Sequence, residues 1–231
     1  MLALPPAPPG VVPYIARYSE EKLLKPRIVQ HPLFPGVAYA DETPYDRDSF
    51  GMLWVRPVLL PKRRRGEPRL REIHAYRQRR AMANMLCQVC TRPPEDPDEP
   101  PLFLLKDTSG LVVEGERTAS PPVCVPCAGI SIHLCHGLRG GHYVAARAMY
   151  TPAWGVAGLV YDPDTLTPHP GKDLERVEYG TPRAAWTVAA RSVVALYGVT
   201  PVDLDEEFAR FGMARLEDEF ARVAGLVGAG L

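Results

Sequence analysis

The sequence predicts an α+β fold organised around a metal cross-link, and three features predict it. Two Cys-x-x-Cys pairs, Cys87/Cys90 and Cys124/Cys127, are separated by 33 residues in a chain with only five cysteines. Short β-branched and aromatic runs bounded by Gly, Pro and Asp alternate with segments of helical apolar spacing. The 26 prolines cluster at the N-terminus, around residues 93–101 and around residues 163–170, which favours loops and extended segments over long helices.

The elements follow in chain order. Residues 1–35 form a proline-rich arm without periodicity. The apolar run at 50–60, FGMLWVRPVLL, predicts a strand that Pro57 confines to an edge or breaks in two. A basic loop, KRRRGEPRLR, covers residues 62–71. REIHAYRQRRAMANML, 71–86, predicts a helix with Ile73, Tyr76, Met82 and Met85 on one face. The first cysteine pair follows it directly. PPEDPDEPP at 93–101 is an acidic, exposed loop. LFLL (102–105) and LVVE (111–114), separated by Asp-Thr-Ser-Gly, predict a β-hairpin. The second pair opens a helix over 125–138 that stops at Gly140-Gly141. Residues 142–150 and 154–162 predict two strands and 163–173 a loop. A helix is predicted over 184–197, with Trp186, Ala190, Val193, Val194 and Tyr197 inward and Gly198 as its stop. An acidic amphipathic helix over about 203–223 buries Leu204, Phe208, Phe211, Leu216, Phe220 and Val223. The domain organisation expected is an arm (1–35), a strand plus metal-binding domain (36–150) and a C-terminal α/β lobe (151–231).

Charge separates function classes. The 27 basic and 27 acidic side chains cancel, which argues against a protein that coats nucleic acid or membrane with its whole surface. Locally the balance is uneven. Residues 62–80 carry nine basic and two acidic side chains, and residues 203–220 carry seven acidic and two basic. A basic contact face competes here with solvated or mutually neutralising segments. The scarcity of lysine beside arginine, with abundant Ala and Gly, fits the codon bias of a GC-rich genome. No run approaches the roughly 20 apolar residues of a membrane helix, and the start lacks a signal-peptide pattern. A cytoplasmic location is expected, where paired cysteines are metal ligands more often than disulfides.

The cysteine spacing carries chemistry. Two residues between cysteines allow a tight knuckle whose thiolates grip one side of a small cation. Two knuckles complete a tetrahedral zinc site on Cys87, Cys90, Cys124 and Cys127, closed to substrate and therefore structural. A redox Cys-x-x-Cys or an iron–sulfur cluster is the competing assignment. Cys135 lies too far along its helix to join the same ion, and reads as a small buried hydrophobe. His31, His74, His133, His136, His142 and His169 have no evident partner. No phosphate-binding glycine loop, nucleophile elbow or EF-hand loop occurs. Gly137, Gly140 and Gly141 around Arg139 read as a helix stop before an anion-binding turn. Trp54, Trp154 and Trp186 read as core.

The order helix, knuckle, hairpin, knuckle, helix resembles a treble-clef zinc finger, with Pro126 at the helix start. RQRRAMANMLCQVC followed by SPPVCVPCAGI is similar to the four-cysteine frame of HNH endonucleases, over about residues 71–138. The remainder resembles uncharacterised proteins of actinobacteria and their phages, which implies no function. The HNH resemblance implies a general-base histidine between the knuckles and a His or Asn on the following helix. The interval 91–123 contains neither residue, and the one asparagine, Asn84, precedes the first knuckle. Asp107, Glu114 and Glu116 are the remaining acid–base groups outside the acidic loop, and His133 or His136 could hold only the helix position. The resemblance thus implies a frame without the chemistry. The expected function is a non-enzymatic zinc-stabilised module that binds nucleic acid through Arg63, Arg64, Arg65, Arg77, Arg79 and Arg80. A protein-interaction scaffold using the acidic helix is the alternative, and a divergent HNH-like nuclease the second.

Overall fold

The architecture comes from a computed structural model that describes residues 4–94, 96, 98–107, 110–171 and 173–229, for 227–229 the backbone alone. Its elements are β1 (Ala16–Tyr18), β2 (Leu23–Leu24), β3 (Ile28–Gln30), β4 (Val37–Tyr39), β5 (Leu53–Trp54), β6 (Arg56–Pro57), β7 (Pro68–Ile73) and α1 (Ala75–Ala83). They continue with β8 (Leu102–Lys106), β9 (Glu116–Thr118), α2 (Val125–Leu134), β10 (Tyr143–Tyr150), β11 (Ala153–Val160), β12 (Glu175–Glu178), β13 (Thr187–Pro201), α3 (Leu204–Phe211) and α4 (Met213–Ala229). The chain is α+β.

A seven-stranded sheet is its centre. β10 and β11 run in the same direction and pair with β13 as if they were one strand interrupted at Thr151-Pro152. Tyr150 lies opposite Tyr197 on one side of the break and Ala153 opposite Val194 on the other. β8 and β12 flank this ribbon end to end on one edge, and β9 and β5 do so on the other. The pairing runs through the division expected at residue 150. The register slips by one residue beyond Ala153 and returns at Gly158. Gly155 and Gly158 allow the close approach there, since a Cβ would stand 2.1 Å from the Val177 carbonyl oxygen or 2.4 Å from that of Val188.

Two sequence expectations fail at this sheet. The segment expected as a helix over 184–197 is β13, preceded by a 3-10 turn at Pro182–Trp186. Val188, Ala189, Val193, Val194, Ala195 and Leu196 are all buried in it, so both of its faces are covered and no polar alternation marks a strand. The hairpin of 102–105 with 111–114 is absent as well. β8 pairs antiparallel with β10, and the next strand, β9, pairs with β13. Of the turn expected at 107–110, residues 108 and 109 lie outside the described residues, as do 95 and 97 of the acidic loop.

Other elements follow the sequence more closely. The helix over 71–86 shortens to α1, because residues 68–73 form a strand against β1. The acidic C-terminal helix is two helices, broken at Gly212, whose φ of 90° suits glycine. Asp203 caps α3, its Oδ1 accepting from the Asp205 amide at 2.8 Å. Leu204, Phe208, Leu216, Phe220 and Val223 are buried as expected. They pack on α2 together with the four cysteines' surroundings, Val11 of the arm and β8. On the sheet, α1 is anchored by Gln78, fully buried, which donates to the carbonyls of Ala119 at 2.8 Å and Ser192 at 2.9 Å and accepts from the Ser192 amide at 2.9 Å. Leaving any of these buried groups unmade would be costly. No helix among the described residues is long and apolar enough to cross a membrane.

Candidate metal centre and the arginine-bearing surface

The end of α1 delivers the first knuckle. Asn84 closes the helix with its side-chain amide on the Arg80 carbonyl at 2.9 Å, and Met85 turns left-handed at φ 47°. The Leu86 amide then reaches back to the Ala81 carbonyl at 2.9 Å, a C-terminal motif that reverses the chain. Cys87 follows at once. Inside the knuckle the Thr91 amide donates to the Cys87 carbonyl at 2.9 Å, and the Cys87 amide to that of Arg92 at 2.9 Å.

Two further segments fix this loop. The amides of Tyr14 and Ile15 donate to Val89 and Gln88 at 3.0 and 3.2 Å, so the N-terminal arm is stitched to the knuckle. Gln88 ties it to the second knuckle, its amide on the Pro122 carbonyl at 2.9 Å and its side chain on that of Pro121 at 3.0 Å. Cys124 is the N-cap of α2, Pro126 sits in the first turn, and Cys127 follows in the same turn. Proline costs nothing there, because the first amides of a helix have no internal acceptor.

The four sulfurs converge. All lie within 4.8 Å of one another. A tetrahedral ion with metal–sulfur bonds of about 2.3 Å sets its ligands about 3.8 Å apart. Cys90 Sγ and Cys124 Sγ are 3.8 Å apart. No disulfide forms among the five cysteines. An iron–sulfur cluster would interpose several irons and sulfides, and sulfurs this close leave room for one ion. Cys87, Cys90 and Cys127 are buried and Cys124 is partly exposed. Four cysteines are therefore placed to bind a single metal ion, and the set is compatible with zinc.

Their protonation agrees with that fit. Hydrogen bonds from Cys124, Cys127 and Cys87 hold the Cys90 thiol far below its ordinary range. Cys127 is pushed well above it by its bonds to Cys124, Cys87 and Cys90. Buried thiolates cannot all ionise side by side without a cation among them. A second observation comes from α4. The Arg222 guanidinium lies beside Cys90, and its buried Nη2 has no hydrogen-bond partner among the described residues. A Cys90 thiolate holding a metal would be an acceptor for this N–H. Glu219 holds Arg222 at 2.9 Å and Arg92, just past the knuckle, at 3.2 Å.

Other candidate ligands stay outside. Cys135 is exposed at the end of α2 rather than buried as expected. His133 turns its Nδ1 to the Gly129 carbonyl at 2.8 Å. His74 is buried at the start of α1, beside the Val58 carbonyl. Trp54 is buried as expected, whereas Trp154 and Trp186 are half-buried.

The six arginines expected to meet nucleic acid divide in two. Arg77 is fully buried, donating to the Ala16 carbonyl at 2.6 Å and pairing with the buried Glu21 carboxylate. Its charge is used inside the protein, and burial removes it from any contact surface. Arg65 is half-buried against the Leu60 carbonyl at 2.8 Å and Glu21 at 3.5 Å. Arg79 is half-buried with its guanidinium 4.4 Å above the Trp54 ring. Arg63, Arg64 and Arg80 are exposed, and so are Arg69 and Arg71 on β7, which the sequence reading left out. Arg80 reaches the Tyr14 hydroxyl at 3.4 Å. None of Arg63, Arg64, Arg69 and Arg71 pairs with a carboxylate among the described residues. On the acidic side, Glu207 pairs with Arg147 and Arg210, and Glu219 with Arg92 and Arg222.

No family model matches the chain, and neither a curated protein nor a solved structure matches it.

Proposed function

We propose that the chain is a zinc-stabilised module that binds nucleic acid on the surface carrying Arg63, Arg64, Arg69, Arg71 and Arg80. One observation supports this most directly: these exposed guanidiniums come from one basic stretch, and four of them pair with no carboxylate among the described residues. Guanidinium forks without internal partners suit phosphate oxygens. The zinc ion, held by Cys87, Cys90, Cys124 and Cys127, supplies a cross-link when bound and performs no chemistry. Its role is to fix α1, which carries Arg79 and Arg80, against α2 and the N-terminal arm. The half-buried Arg79 and Arg65 shape that surface, and Arg77 anchors it from within.

A mobility-shift series across salt, with metal-loaded protein, tests the reading. Binding to DNA is expected to weaken steeply with salt, because each neutralised phosphate releases a counterion. Replacing Arg63 and Arg64 by Ser together is expected to lower the slope of log K against log salt by about 2 for duplex without changing the melting temperature. Absence of binding at low salt would refute the reading and turn attention to a protein partner for the acidic helices.

A further inference from the structure

Beside the arginines lies an open groove of about 370 Å³ between the turn at Pro44–Asp46, the β5–β6 segment and the start of α1. Tyr45 and Tyr76 stand at it, 94% and 50% exposed. Among the described residues neither ring is stacked and neither hydroxyl is hydrogen-bonded. Two other exposed rings do have partners: Phe34 stacks on His31 at 4.3 Å and Phe50 on Tyr179 at 4.1 Å. The floor of the groove is apolar and cationic together, with Val55, Pro57 and Arg79 stacked on Trp54. Its one carboxylate, Asp46, is neutralised by Arg56 through two bonds of 2.7 Å. The groove and the free arginines share elements, since Leu59 at the groove and Arg63 lie on one connection and Tyr76, Arg79 and Arg80 on α1.

We infer that this groove is a single-strand site, in which unpaired bases stack on Tyr45 and Tyr76 while the strand's phosphates follow Arg79, Arg80 and the Arg63–Arg64 segment. The inference rests on the nucleic-acid reading and narrows it. Charge alone draws any phosphate backbone. Two bare aromatic faces add something only for bases whose own faces are open, which a duplex hides in its stack. Aromatic platforms beside a cationic track are the physical requirement for binding single strands without reading their sequence.

Fluorescence anisotropy with three probes of equal phosphate number tests it on metal-loaded, full-length protein. The probes are an oligothymidylate, the same length of abasic deoxyribose-phosphate strand, and a duplex. The thymidylate is expected to bind about tenfold more tightly than the abasic strand. Replacing Tyr45 and Tyr76 by Ser together should bring it down to the abasic level and leave the abasic strand unchanged. Both side chains reach solvent, so the fold should tolerate the change, and an unaltered melting curve checks that. Equal affinity for thymidylate and abasic strands would overturn the inference while leaving the charge-based reading standing. So would a double variant that binds thymidylate as the parent does. No binding of any probe at low salt would overturn both.

Discussion

Removing the metal should cost the fold several kcal/mol, and the structure sets the scale. The ion would join Cys90 to Cys124, 34 positions apart in sequence. Treated as a cross-link, closing that loop is worth about 4 kcal/mol. Domains of ordinary stability have only about 5–15 kcal/mol in total. The knuckles also bury Cys87, Cys90 and Cys127, whose sulfurs would be left to compete for protons. For a chain of this size about 1 kcal/mol moves the melting temperature by about 2–4 °C. Stripping with a chelator should therefore lower it by about 8–16 °C. Cys127→Ser, which replaces a fully buried ligand in the first turn of α2, should fall between the parent and the stripped protein. Cys135→Ser, at an exposed site outside the cluster, should leave melting unchanged. The assay is thermal unfolding followed by circular dichroism, with metal content measured on the same samples by elemental analysis. Loss of the ion with an unchanged melting curve would refute the cross-link. Equal effects of Cys127→Ser and Cys135→Ser would refute the assignment of ligands.

Other expectations follow from the same contacts. Arg222→Ala should weaken the hold on an added zinc ion by about tenfold in competition with a chromophoric chelator, whereas an unchanged affinity would remove Arg222 from the metal's surroundings. Arg77→Ala takes away the close cation of the buried Glu21 carboxylate and leaves it only Arg65 at 3.5 Å, and urea unfolding should show a loss of about 3 kcal/mol; a loss under 1 kcal/mol would mean that Arg65 neutralises Glu21 unaided. Asp46 is held down to about 2 by its hydrogen bond from Arg56, against the opposing effect of burial. A depressed carboxylate stabilises the fold above its unfolded pKa of about 4, and that contribution disappears as pH falls from 4 through 2. It amounts to at most about 2 kcal/mol. In urea titrations Asp46→Asn should lower stability at pH 7 and flatten this acid limb, and an unchanged limb would assign it to other groups.

What could be read from the sequence was what is encoded locally. The two knuckles are four residues each, and Pro126 marks the start of α2 without help from the rest of the chain. The inward faces of α3 and α4 were legible through Leu204, Phe208, Leu216, Phe220 and Val223. The break at Gly212 was not, because the apolar spacing continues across it. Pairings that join distant segments were the main loss. LFLL finds its partner in β10, beyond the second knuckle, and no local pattern announces that. β13 was misassigned because a strand covered on both faces shows no alternation, and Trp186, Val193 and Tyr197 fit a helical stripe by coincidence. Its β-branched content, with Thr187, Val188, Val193, Val194 and Val199, was the signal available. Arg77 could also have been placed. It lies one turn before Ala81 on α1 and shares its face, and an arginine facing the same way as a small apolar residue belongs to the inside.

The segment 62–80 thus serves two ends that its charge count alone conflates. Arg77 and, in part, Arg65 turn inward to Glu21 and lock β1, β7 and α1 together. That lock holds the outward arginines on a fixed surface, and fixed guanidiniums lose less freedom on meeting phosphate than mobile ones would. A bound metal would act on the same surface from the other end of α1, since the helix that carries Tyr76, Arg79 and Arg80 ends at Ala83, four residues before Cys87. If the chain binds nucleic acid as proposed, stripping the ion and neutralising Arg77 should both weaken that binding although neither group would touch the strand. They would do so by loosening α1, with every exposed arginine still in place. A loss of binding in either case therefore speaks for contact only when the fold has been measured alongside it. The exposed pair Arg63 and Arg64, with no side-chain partner among the described residues, is where charge can be removed without that confusion.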